Sequence, residues 1–177
     1  MGKTKGAAAL TSVKLLRGRK DEARRVLAPE LHHYLEDRIV VASWYPERDV
    51  FGLMLACAKL YPLEGAQFEA MGAAAARAHL SGIYANLLHR DPAVRAHTLW
   101  KTQHDTGELS LASVTDDSAT YALDGWEHLG AEHCRLLGGY FCEVHRITGA
   151  AEPRFEHPTC SGRGAPRCVW TVRWKVA

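Results

Sequence analysis

The apolar positions of this chain keep a helical period through the first half and move toward a strand period in the second. Residues 7–16 (AAALTSVKLL) space apolar side chains as an amphipathic helix does. Lys20 to Tyr34 predicts one or two more, with Pro29 opening the second, because a first-turn proline loses no hydrogen bond. Ile39, Val40 and Val41 are β-branched and predict a short extended piece, which Trp44-Tyr45-Pro46 breaks. Over 47–60, Val50, Leu53, Met54, Cys57 and Leu60 share one helical face, and Pro62 ends that helix. Gln67 to Leu88 is alanine-rich and predicts a helix bent at Ser81-Gly82. Asp91-Pro92 opens another, as an N-cap followed by proline does, and it runs to His104 or close to it.

From Asp105 onward the pattern changes. Leu109, Leu111 and Ser113 alternate with Ser110, Ala112 and Val114, Asp116-Asp117 makes a turn, and residues 119–124 supply a partner strand. Glu127 to Ile147 predicts a long helix stopped by Thr148-Gly149. Arg154–Thr159 and Cys168–Val176 predict two last strands joined by a turn containing Gly and Pro. A helical N-terminal half followed by strand, strand, helix, strand, strand predicts an α+β fold with an antiparallel sheet. The expectation is one domain over 1–177, with 1–104 mainly helical and 105–177 carrying the core of interest.

Composition narrows the function classes. With 47% hydrophobic residues among 177, the chain can bury a core and is not disordered. The formal net charge is only +2 and the longest basic cluster, Arg17 to Arg25, is interrupted by acids, which argues against nucleic-acid binding. No run of about 18 apolar residues exists to span a membrane. The N-terminal MGKTKGAAAL lacks a secretory pattern, so a cytoplasmic location is expected, and with it thiols or metal ligands in preference to disulfides.

Four of the five cysteines, Cys134, Cys142, Cys160 and Cys168, lie in the last third of the chain. His157 stands three residues before Cys160, and Cys160 and Cys168 flank the final turn, where a hairpin brings its ends together. Cys134, His157, Cys160 and Cys168 offer three thiolates and one imidazole, a tetrahedral zinc set with no position left for water. Such a site would be structural and would fasten the long helix to the hairpin. The competing reading is that the cysteines are small buried hydrophobes, and Cys57 and Cys142 are read that way.

The same stretch resembles the 4-vinyl reductase domain family. The likeness rests on Cys134, Gly139-Tyr140, His157-x-x-Cys160, Gly164 and Cys168, and is specific over about 105–176. In the related sensor domains of phenol-responsive activators the four matching positions hold zinc, with glutamate where His157 stands. Glu156 adjoins His157, so either could be the second ligand. Upstream, the Trp44-Tyr45-Pro46 segment and the helical half are similar to bacterial single-domain members. The wider superfamily includes transport-particle subunits and heme-based nitric-oxide sensors. The resemblance implies helices packed on an antiparallel sheet with a pocket between them, and by analogy a homodimer, for which the alanine-rich 70–78 segment offers a flat face.

Trp100, Tyr121, Trp126, His133 and Tyr140 lie on the elements that would surround such a pocket. The leading expectation is a non-enzymatic, sensor-like domain for a small hydrophobic or aromatic ligand, stabilised by structural zinc and passing its signal to a regulatory partner or across a dimer. A scaffold resembling the transport-particle subunits, with a filled core, is the alternative. An enzyme of tetrapyrrole metabolism is a third reading, although no nucleophile elbow, dinucleotide fingerprint or His-Glu-x-x-His motif occurs. Heme is not expected: there is no c-type attachment motif and no Tyr-x-Ser-x-Arg, which leaves His97 and His104 as axial candidates.

Overall fold

In a computed structural model of the chain, residues 2–62, 66–82 and 84–176 are described. They fall into two compact units, Met1–Gln67 with Gln103–Asp105, and Phe68–Thr102 with Thr106–Ala177.

The first unit contains β1 (Lys3–Lys5), α1 (Gly6–Gly18), α2 (Lys20–Val26), a 3-10 segment Pro29–Leu35, β2 (Trp44–Pro46) and α3 (Glu47–Leu60). The predicted face of α3 is buried at Val50, Leu53, Met54 and Cys57, and it packs on α1, whose Ala9, Val13 and Leu16 are buried too. Pro29 opens a 3-10 segment and not an α-helix. Ile39–Val41 are not a strand, which corrects the expectation. The carbonyls of Val41 and Ser43 accept the N–H groups of Ala7 and Gly6 at 3.1 and 2.9 Å. These two carbonyls thus satisfy N–H groups at the open N-terminus of α1. Trp44–Pro46, expected to break a strand, form one by pairing antiparallel with Lys3–Lys5.

The second unit takes α4 (Gln67–Leu80) from Phe68 on, a 3-10 segment Ala85–His89, α5 (Pro92–Gln103) up to Thr102, and then β3 (Glu108–Val114), β4 (Ser118–Asp124), α6 (Ala131–Ile147), β5 (Ala151–Thr159) and β6 (Cys168–Lys175). The helix expected through Leu88 ends at Leu80, and Ser81-Gly82 form a turn; Ile83 lies outside the described residues. The strands form one antiparallel sheet in the order β3-β4-β6-β5. The fold is α+β, with the antiparallel sheet in the second half.

Helix α6 covers one face of the sheet, burying Cys134, Leu137 and Phe141 in a cluster with Tyr121, Trp170 and Val172. Two glycines inside α6 let it come close to its neighbours. A methyl on Gly138 would enter the ring of Phe155 on β5, and one on Gly139 would enter the backbone of Glu69 on α4. The α4 side of that crossing is Gly72, against the carbonyl of Leu136. Gly72, Ala76 and Leu80 are therefore buried inside this unit, and that part of the alanine-rich face is already used.

Candidate metal centre

Three elements of the second unit supply the predicted ligands. Cys134 lies in the first turn of α6 and faces the sheet, His157 lies on β5, Cys160 follows the end of β5, and Cys168 opens β6. The turn between the last two is a 3-10 segment, Ser161–Arg163, closed by Gly164 in the left-handed region at φ +86°. The Cys160 carbonyl accepts from the N–H groups of Arg163 and Ala165 at 2.9 and 3.3 Å. The Arg163 guanidinium donates back to the carbonyls of His157 and Pro158 at 2.8 and 3.3 Å. These bonds curl the chain so that both cysteines face inward.

One ligand atom from each of Cys134, His157, Cys160 and Cys168 lies within 4.8 Å of the other three. Tetrahedral zinc with sulfur and nitrogen ligands has edges of roughly 3.3–3.8 Å, so closing on an ion needs a contraction of about 1.5 Å at most. The alternation of β5 separates the two residues left open by the sequence: Glu156 is exposed on the opposite side of the strand from His157.

The surroundings suit a cation. His157 Nε2 is buried and has no hydrogen-bond partner, a costly arrangement unless something accepts its lone pair or takes its proton. Burial first, and then Arg163 and His128, lower the His157 imidazole to about 4, so it is neutral and able to ligate. Burial, followed by the charges of Cys168 and Cys160, pushes the Cys134 thiol far up. Three thiolates cannot share this space without a positive centre among them. Ser161 supports Cys168, its N–H and Oγ lying 3.3 and 3.2 Å from Sγ. By the chemistry of the donors, their spacing and the orphaned nitrogen, the residues fit zinc. Cys57 and Cys142 are buried elsewhere, the Cys57 thiol bonding the Ser12 carbonyl at 3.3 Å.

The aromatic residues expected around a pocket divide into two groups. Trp100, Trp126 and His133 are buried against one another, Trp100 to Trp126 at 6.0 Å and Trp126 to His133 at 4.8 Å between ring centres. Tyr121 and Tyr140 instead line a cavity of about 20 Å³ with Arg95, Leu99, Leu109 and Val144. That volume holds a water-sized guest. Sequence reasoning missed Arg95 and His145, both only 6% exposed. Their spacing carried the signal: Arg95 falls on the helical face of Leu99, and His145 on the face of Cys134, Gly138 and Phe141.

No protein-family model matches the chain, and no curated protein sequence does. Solved structures do match it. An H-NOX protein from S. oneidensis in the Fe(II) ligation state, a triple-alanine variant, superposes with a TM-score of 0.64 at 14% identity, over 97% of this chain and 96% of that one. An oxygen-binding H-NOX domain related to soluble guanylate cyclases, as its oxygen complex, gives 0.63 at 12% identity over 97% and 95%. The S. oneidensis protein in the Fe(II)NO ligation state also gives 0.63 at 12%, over 97% and 99%. This chain shares the H-NOX fold. At such identities the likeness concerns the fold alone.

Another matching structure concerns heme distortion in the H-NOX family, and a heme inside the second unit would need a large pocket there. The cavity there, about 20 Å³, is far below the ~300 Å³ or more of a cofactor pocket. Of the sequence's axial candidates, His97 is exposed. His104, in the first unit, has Nδ1 bound to the Glu47 carboxylate at 2.7 Å. A cavity of that size does not hold heme.

Proposed function

We propose that this chain is a non-enzymatic small-molecule sensor domain whose second unit is fastened by structural zinc at Cys134, His157, Cys160 and Cys168. The observation that carries the zinc assignment is the meeting of four such donors within 4.8 Å from three separate elements. Zinc would supply a tetrahedral cross-link with no open position, and so no catalytic water. The protein's own part is to orient the donors: the 161–164 turn aims Cys160 and Cys168, and Trp170 backs the His157 ring. The resemblance to the 4-vinyl reductase domain and the H-NOX-like fold both support a sensor, with an apolar or aromatic ligand and a regulatory partner or second copy receiving the signal.

Elemental analysis of the purified, untagged protein, with absorbance on the same sample, tests this. The expected result is one zinc per chain, lost in Cys160→Ser together with several kcal/mol of stability. Absence of metal, with five titratable thiols and a loss of only ~1–2 kcal/mol in the variant, would refute the zinc assignment.

Two observations favour other readings. The fold shared with H-NOX proteins favours a heme-based sensor, and a Soret band on the same sample, or after adding hemin, would select it. The small cavity of the second unit favours a scaffold with a filled interior. Failure of every apolar ligand to raise the melting temperature of the zinc-loaded protein would select that.

A further inference from the structure

The first unit carries an apolar loop that faces solvent with its own carbonyls satisfied. Val40, Val41 and Trp44 are 47%, 47% and 42% exposed, and Ala42 and Ser43 between them are exposed too. Singly exposed apolar side chains need no explanation, but three large ones within five consecutive residues do. The loop is not slack. Ile39 at its base is buried, and the Val40 N–H donates to Tyr45 Oη at 2.9 Å. The Val40 carbonyl accepts from the Ser43 N–H at 3.1 Å, and the carbonyls of Val41 and Ser43 hold the start of α1. The Ala42 carbonyl accepts from the Lys5 ammonium at 2.8 Å. Every carbonyl from Val40 to Ser43 is thus engaged within the unit.

Cations flank this loop. Lys3 and Lys5 pair with Pro46 and Trp44 across the β1–β2 ladder, so these four side chains share the face opposite buried Thr4. Lys5 Nζ stands 3.7 Å from the centre of the Trp44 ring, a cation–π pair. Arg38, next to the base of the loop, is exposed. Neither β1, β2 nor the stretch 39–43 contains an acid. Two features choose the occupant. A protein partner can supply hydrogen bonds to open backbone groups, but hydrocarbon cannot, so a segment that enters lipid must satisfy its carbonyls itself. Tryptophan with lysine beside it suits the headgroup level, where the indole leaves water and the ammonium meets phosphate.

We propose that residues 40–44 form a membrane-docking loop: Val40, Val41 and Trp44 enter the interface of an anionic bilayer while Lys3, Lys5 and Arg38 contact its headgroups. This is a peripheral contact and needs no spanning helix; among the described residues no helix is long and apolar enough to cross a membrane. The loop belongs to the first unit and stands independently of the zinc and small-molecule readings.

The test is co-sedimentation of the full chain with vesicles of phosphatidylcholine alone and of phosphatidylcholine with added phosphatidylglycerol. The chain is expected to bind the anionic vesicles, and to bind neutral ones, or anionic ones at high salt, roughly tenfold more weakly. The double variant Val40→Asp with Val41→Asp should lose roughly tenfold or more in affinity while its melting temperature stays at the wild-type value, because both side chains are exposed. Val40→Ser with Val41→Ser serves if the aspartate variant does not fold. Bromine-labelled acyl chains should quench Trp44, the most exposed of the five tryptophans, and the quenching should vanish in Trp44→Phe. Absence of binding to anionic vesicles, or equal binding by the folded double variant, would overturn the docking loop. Binding without bromine quenching would overturn insertion and reduce the contact to adsorption of charge. Self-association of the wild type that the aspartate pair abolishes, without vesicle binding, would overturn the membrane assignment and make the loop a contact between copies of this chain.

Discussion

His157 lies flat on Trp170, the ring centres 4.6 Å apart and the planes 10° from parallel. Trp170 is fully buried and donates its Nε1 proton to the Cys134 carbonyl at 3.0 Å. One indole thus fixes both the imidazole on β5 and the helix turn that carries the first cysteine. Stacking alone could account for a half-buried histidine here, so stacking and ligation must be separated. His157→Phe keeps the stack and removes the donor, while His157→Glu does the reverse. If His157 is a ligand, the phenylalanine variant should lose stoichiometric zinc and about 2–4 kcal/mol. The glutamate variant should retain zinc, because carboxylate oxygen also serves as a ligand. Zinc content and chemical denaturation measure both. A phenylalanine variant as stable as wild type, with its metal unchanged, would mean that the residue only packs.

Gly139 gives a test in which propensity and packing have opposite signs. Alanine in a helix interior is favoured over glycine by ~1 kcal/mol. At Gly139 a methyl would meet the Glu69 backbone, which cannot move aside as the end of a side chain can. Packing should win, and Gly139→Ala is expected to destabilise by about 2–3 kcal/mol in chemical denaturation. A stabilised variant would show that α4 and α6 can separate freely at this crossing.

The elements of the second unit were legible because their apolar positions keep one period over many residues, as α6 and β4 do. The four clustered candidate donors were legible because cysteine and histidine at fixed spacing leave few alternatives. What the sequence hid depends on partners distant along the chain. Trp44–Pro46 became a strand only because Lys3–Lys5 lies opposite, and Ile39–Val41 lost theirs to the N-terminus of α1. Choosing His157 over Glu156 required the facing of β5. Arg95 was passed over because arginine normally sits on a solvated face, and its burial appears only when α5 is laid beside Tyr121 and Tyr140.

Glu143 ties α6 to α4. Its carboxylate is 5% exposed and accepts from Arg77 at 2.9 Å and from Arg146. Both arginines are more than half exposed, so they return to water when the carboxylate is neutralised. Glu143→Gln should therefore cost about 1–2 kcal/mol, below the ~3–5 kcal/mol of a fully buried pair broken on one side. High salt should narrow the gap between wild type and variant, as urea midpoints at two ionic strengths would show. A gap independent of salt would assign the effect to packing.

His145 makes stability depend on pH in a defined window. It is buried between Tyr121 and Trp174, stacking on the latter at 4.5 Å, and burial, then Arg95, hold it at about 4 against an ordinary 6.5. A lowered folded-state value means that the unfolded chain takes up the proton first. Stability is therefore complete above pH ~6.5, falls as the pH drops toward 4, and levels off below that, with a total loss of about 3 kcal/mol from this residue. His157 is lowered in the same direction, so wild type alone cannot isolate the effect. His145→Gln retains an oxygen to accept from Tyr121 but does not titrate. The stability difference between wild type and His145→Gln should be constant above pH ~6.5 and shift in favour of the variant as the pH falls to 4. Parallel curves across that range would show that His145 is protonated alike in the folded and unfolded chain.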